Sequence, residues 1–188
     1  MSRATILNKV RAAQPEALPL PELPSFSLDQ LDAIQILRES VSTARAELIE
    51  AQSVSAFVRS AFPSETVIVA PDFSDLANHV VADTQNAREL PPVDLIVLRA
   101  EFIVAENAAC WLTDARMGIR VLPFIGEHLV LVVSREAIVV DMHRAYQRIG
   151  SNPPGFGVFV AGPSKTADIE QSLVIGAQAA RSLKIVLE

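Results

Sequence analysis

Five short apolar runs crowd the middle of this chain: Val93–Leu98, Glu101–Ala105, Ala109–Leu112, His128–Val133 and Ala137–Val140. They are four to six residues long, rich in branched side chains and largely free of polar alternation. Such runs predict strands buried on both faces, which a sheet achieves only when helices cover both its sides. Further strand patterns fall at Ala46–Ala51, Thr66–Ala70, Val158–Ala161 and Lys184–Leu187. Helical patterns surround them. Val54–Phe62 is stopped by Pro63, and Asp141 caps a helix running through Ile149. A further helix is predicted from Ser27, where Ser27 and Gln30 form a capping box and Leu31, Ile34, Leu37 and Val41 supply the buried stripe. Another is predicted from about Ala167 to Gly176. The fold class that follows is α/β: an open, mostly parallel sheet flanked by helices.

Residues 1–26 read as an arm and residues 27–188 as the α/β domain. Arg3–Ala13 has Ile6, Leu7 and Val10 on one side, and Pro15, Pro19, Pro21 and Pro24 then force an extended path. A helix this short is unstable alone in water, so it docks either on its own domain or on a neighbouring subunit.

Charge and cysteine content narrow the function classes. Sixteen Lys and Arg against 22 Asp and Glu give a net charge of −6, which opposes binding along a nucleic-acid phosphate backbone. The single cysteine, Cys110, excludes a disulfide framework, a cysteine zinc site and an iron–sulfur cluster carried by this chain. His79, His128 and His143 lack metal-site spacing, so no metal is expected. The most apolar stretch, Val121–Val133, is broken by Pro123, Gly126, Glu127 and His128 and is too short to cross a bilayer. The start of the chain has no uninterrupted signal-peptide core, so a cytoplasmic protein without a membrane partner is expected.

Two segments carry candidate chemistry. The corner Gly162-Pro163-Ser164-Lys165-Thr166-Ala167-Asp168-Ile169-Glu170 leads from a strand toward the predicted helix. Its polar residues either cap that helix, or hold an anion with the free N–H groups and Lys165. Ligand-binding candidates are therefore Gly162, Pro163, Ser164, Lys165, Thr166, Asp168 and Glu170, together with Asn107. Glu106, beside Asn107 at a strand end, reads either as a base or nucleophile at the site rim or as a turn carboxylate accepting backbone N–H groups. Cys110 reads as buried filler and His128 as a histidine satisfied near a sheet end. Trp111 is either core or a surface for stacking. Gly155-Phe156-Gly157 precedes a strand, so it is not a dinucleotide fingerprint, and no phosphate-cradling glycine loop is present.

The Gly162–Glu170 segment, with Gly176 and the closing Leu183–Leu187 strand, resembles the carboxy-terminal signature of the LUD-domain family, that of the lactate-utilization protein C subunits. Ala100–Asn107 is similar to that family's strand–turn–strand with an alanine–glutamate pair. Leu122-Pro123 followed by His128–Val133 is similar to its leucine–proline and histidine block. The resemblance implies a fold like the coenzyme-A transferases, ribose-phosphate isomerases and formyltetrahydrofolate cyclo-ligases. It also implies an accessory role in oxidising L-lactate to pyruvate, with a small anionic metabolite or cofactor bound here and iron–sulfur clusters on separate subunits. The sequence names no cofactor. It departs from the family at Ala108, where a glycine is usual, and at Gln178-Ala179-Ala180, where histidine–glycine–proline is usual. Two other readings stand beside this one: an assembly module that docks a partner or a second copy of the chain, and an enzyme like the cyclo-ligases or coenzyme-A transferases.

Overall fold

The computed structural model describes residues 2–16, 18, 19, 21, 30–63, 68–81, 87–151, 155–167, 173–178 and 180–188, with the side chains of 30–32, 87, 167 and 173 left out. The expected capping box at Ser27 and Gln30 and the first half of the Thr66–Ala70 strand lie outside the described residues.

Five strands form a wholly parallel sheet: β1 (Glu47–Glu50), β2 (Ile68–Val69), β3 (Val93–Arg99), β6 (Gly126–Val133) and β11 (Ser182–Leu187), in the order β1-β11-β6-β3-β2. The central strands are buried on both faces because each apolar run feeds two cores. Ile96 and Leu98 of β3, Leu129 and Leu131 of β6, and Leu183 and Ile185 of β11 share one core with Leu37 and Val41 of α2 (Gln30–Thr43). The intervening Leu95, Val97, Val130, Val132 and Val186 share the other with Val54, Val58 and Phe62, along α3 (Val54–Ala61) and its carboxy-terminal end. The period-two alternation of strand side chains thus divides an unbroken hydrophobic sequence between two helical layers. In α2 the buried stripe is Ala33, Leu37 and Val41, continued by Ala44 just past its end, with Ile34 only half-buried.

Strands β3 and β6 run on through short turns into β4 (Phe102–Val104) and β7 (Ile138–Val139). With β5 (Ala109–Thr113) and β8 (Gly157–Val160) these form a second, mixed sheet in the order β7-β4-β5-β8. It therefore begins at the carboxyl ends of the first sheet's strands. Two helices flank it: α4 (Asp114–Met117) and α5 (Met142–Ile149), the latter capped by Asp141, whose Oδ1 accepts the Arg144 N–H at 2.8 Å. Trp111 is a packing residue. Its ring lies 4.5 Å from that of Phe159, and a Cβ at Gly157 would fall 2.3 Å from its Cζ2.

Among the described residues, neither end of the helix expected from about Ala167 to Gly176 is helical, and residues 168–172 lie outside them. The described residues there are strands, β9 (Lys165–Ala167) and β10 (Leu173–Ile175), paired antiparallel, and the Gly176 N–H extends the pairing to the Ser164 carbonyl at 2.9 Å. The branched side chains of Thr166, Val174 and Ile175 favour the pleated state, and their pairing outweighs the capping composition that suggested a helix. At the other end of the chain, α1 (Arg3–Ala12) forms as expected with Ser2 as its N-cap, yet it buries no residue. Ile6, Leu7 and Val10 are all exposed.

Candidate functional site

Helix α2 connects the two segments singled out from the sequence. Ser40 Oγ donates to the Ala105 carbonyl at 2.6 Å, which ties the helix to the β4–β5 turn carrying Glu106 and Asn107. One turn later the helix ends against the other segment. Lys165 Nζ donates to the Ala44 carbonyl at 2.9 Å, and Gly162, at φ +73°, packs so closely there that a Cβ would fall 2.1 Å from the same oxygen. Helix carboxyl ends leave carbonyls without intrahelical partners, and an ammonium group is the natural donor for one of them.

The result is a cleft of about 470 Å³ lined by Glu106, Asn107, Ala161 and Lys165 on one side and by Ile36, Glu39, Ser40, Thr43 and Ala44 of the α2 end on the other. Three of the predicted site residues meet here although they lie far apart in sequence. Lys165 also borders a neighbouring cleft of about 330 Å³, where Gly162, Pro163 and Ser164 face Phe124 and Gln178. Thr166 lines neither cleft, and Asp168 and Glu170 lie outside the described residues. Sequence reasoning missed Glu39 and Ser40. Their signal was the polar face of α2 opposite its Leu37 and Val41 stripe, which reads equally well as solvated surface.

Glu106, Asn107 and Lys165 each have part of their bonding capacity engaged. Glu106 is exposed, and its Oε2 accepts the Met142 N–H at 2.9 Å, which satisfies a free amide in the first turn of α5. Asn107 Oδ1 accepts the Ala109 N–H at 3.1 Å in a tight Asx-type turn, which leaves its amide group to donate. Lys165 spends one of three protons on Ala44. The turn is held with Ala108 at φ +57°, a left-handed backbone conformation that ordinarily favours glycine.

Other candidates resolve into structural roles. Cys110 is fully buried, and burial pushes its thiol well above the ordinary range, so it is no nucleophile. His128 shares a 2.7 Å hydrogen bond with Ser182 Oγ across the β6–β11 pair. His79 is half-buried, and its Nε2 has no hydrogen-bond partner among the described residues. Among those residues no three His, Cys, Asp or Glu side chains gather as a metal site, and no helix is long and apolar enough to cross a membrane.

The parallel sheet with helices on both faces, and a cleft where its turns converge on one helix end, define an α/β protein with an open sheet. A family model for the LUD domain matches residues 32–187, and the chain belongs to that family, which is related to lactate utilization. It is also similar to the crystal structure of a DUF162 family protein from Deinococcus radiodurans at 1.70 Å resolution. The two are 16% identical with a TM-score of 0.63, over 86% of this chain and 99% of that one. No curated protein matches.

Proposed function

We propose that this chain is an accessory subunit of a cytoplasmic system that oxidises L-lactate to pyruvate, and that it holds a small anionic metabolite between Glu106, Asn107 and Lys165. The observation that carries the reading is the convergence of these three residues on one cleft beside the end of α2. The cleft pairs one ammonium with two carboxylates, Glu39 and Glu106, so a simple anion is poorly matched. An α-hydroxy acid fits better. Its carboxylate would take the remaining protons of Lys165 and the Asn107 amide, and its hydroxyl would donate to Glu106. Glu106 would then take the hydroxyl proton, while the α-carbon hydrogen and its electron pair would pass as a hydride equivalent to a redox group held by a partner subunit. From there the two electrons would move on to iron–sulfur clusters outside this chain, whose one cysteine cannot hold a cluster.

Thermal-shift titration with L-lactate, pyruvate and an acyl-coenzyme A tests this. L-lactate should raise the melting point. Lys165→Gln, which keeps a donor for Ala44 but removes the charge, should abolish the rise. A response to acyl-coenzyme A alone would favour the transferase-like reading, and no response to any anion would remove the ligand site.

The exposed apolar face of α1 favours a second reading, in which residues 1–26 dock on a second copy of the chain. Size-exclusion of the full chain and of residues 27–188 separates the cases. Loss of an oligomer on truncation supports docking between copies, and an unchanged monomer excludes it.

A further inference from the structure

On the opposite side of the α2 end lies a larger cleft of about 590 Å³, bounded by Arg38, Arg45, Arg181 and Ser182 at the amino-terminal edge of the parallel sheet. We propose that it binds a diphosphate-type polyanion, gripped by the Arg45 guanidinium.

Three observations converge on Arg45. Helix α2 ends in a Schellman motif: the Ala46 N–H reaches the Val41 carbonyl at 3.0 Å and the Arg45 N–H reaches Ser42 at 3.0 Å. Arg45 occupies the position where this motif favours glycine, and it sits at φ +64°. A left-handed non-glycine residue carries a cost in stability, which here places a guanidinium at the mouth of the cleft.

The second observation is charge. Both carboxylates of the cleft are already spoken for. Glu47 holds Lys184 at 2.6 Å, and Glu50 is bonded to Arg38 and Arg135. Arg181 pairs with Glu127 outside the lining, at 2.7 Å. Arg45 has no ion-pair or hydrogen-bond partner for its side chain among the described residues, and Glu50 answers two arginines with a single charge, so the cleft keeps a surplus of positive charge.

The third is placement: Arg38 lines the cleft from within α2, and Arg45 from just past its end. Arg181 enters from the strand side. A ligand with two or more phosphoryl groups offers oxygens to more than one of these guanidiniums at once, and each guanidinium presents a fork matched to phosphate oxygens.

Inorganic pyrophosphate, followed by calorimetry and thermal shift on the full chain, is the test. It should bind the parent at low salt and weaken as ionic strength rises, because these arginines are exposed. Arg45→Gly should raise the ligand-free melting point by about 2 to 4 °C as the strain is relieved. The same change should weaken pyrophosphate about tenfold or more. Arg45→Lys, which keeps the charge without the fork, should fall between. An undiminished response in Arg45→Gly, or none in the parent, overturns the proposal. So does competition between pyrophosphate and L-lactate, which would merge this cleft with the one beside Glu106. Silence toward L-lactate leaves the pyrophosphate result readable by itself.

Discussion

The Glu106 carboxylate accepts the Met142 backbone N–H at 2.9 Å, so the residue proposed as a base also closes the amino end of α5. Asp141 satisfies the Arg144 amide of the same turn, and two carboxylates there complement the helix dipole. The two roles of Glu106 separate by substitution. Glu106→Ala should cost about 1 kcal/mol in urea unfolding, the usual cost of a lost cap. Glu106→Gln keeps an acceptor for Met142 and should cost less than half of that. If Glu106 also receives the hydroxyl of a bound hydroxy acid, Glu106→Gln loses the L-lactate response despite its stability. Retention of the response reduces Glu106 to a cap.

Gly162 has its α-carbon against the Ala44 carbonyl, and a methyl group there would overlap that oxygen at 2.1 Å with φ at +73°. Backbone cannot yield as a flexible side chain does, so the end of α2 must move. Gly162→Ala should lose about 2 to 4 kcal/mol, from an incompatible φ added to overpacking. Chemical denaturation measures it. A cost below about 0.5 kcal/mol would mean that the corner and the helix separate freely.

The parallel sheet was legible because Val93–Leu98 and His128–Val133 are apolar at both alternating positions, a pattern that only a doubly covered strand satisfies. Asp141 was legible as a cap because its hydrogen bond spans three residues. The pairing of β9 with β10 was not, since it competes with a capping pattern of equal local strength and depends on which strand finds a partner. The cleft beside Glu106 was half legible. The Glu106–Asn107 turn and Lys165 stood out as polar groups at strand ends, but nothing local says that α2 ends between them. The Lys165–Ala44 bond spans 121 residues, and the Arg45 cleft is assembled from arginines that look scattered along the chain.

Ala108 holds the β4–β5 turn at φ +57° while fully buried. Ala108→Gly relieves the strain but gives up a buried methyl and a stiffer unfolded chain, effects of about 1 kcal/mol each with opposing signs. It should therefore stay within about 1 kcal/mol of the parent. Ala108→Val adds a branched side chain in a conformation that such residues rarely adopt, inside a filled core, and should lose about 3 kcal/mol or more. Equal stabilities for the two variants would contradict the turn geometry.

Asp114 should set part of the acid limit of the fold. Arg120 bonds both its oxygens, at 2.9 and 3.0 Å, and the Phe156 N–H donates to Oδ2 at 3.0 Å. The hydrogen bond from Arg120 first, and then the one from Phe156, hold its carboxyl below the ordinary aspartate value. Glu50 is lowered in the same direction, chiefly by its hydrogen bond from Arg135. A carboxyl depressed in the folded state takes up its proton later than in the unfolded chain as pH falls. Its stabilisation is therefore complete above the ordinary carboxylate value of about 4 and is lost as pH drops through the lower folded value. Asp114→Asn removes this linkage. Melting points of parent and variant should differ by a constant amount from neutral pH down to about 5, and should converge below about 4. Both groups are solvent-exposed, so added salt should shrink the gap. A gap that persists unchanged into strong acid would assign the effect of Asp114 to its hydrogen-bond geometry and not to its charge.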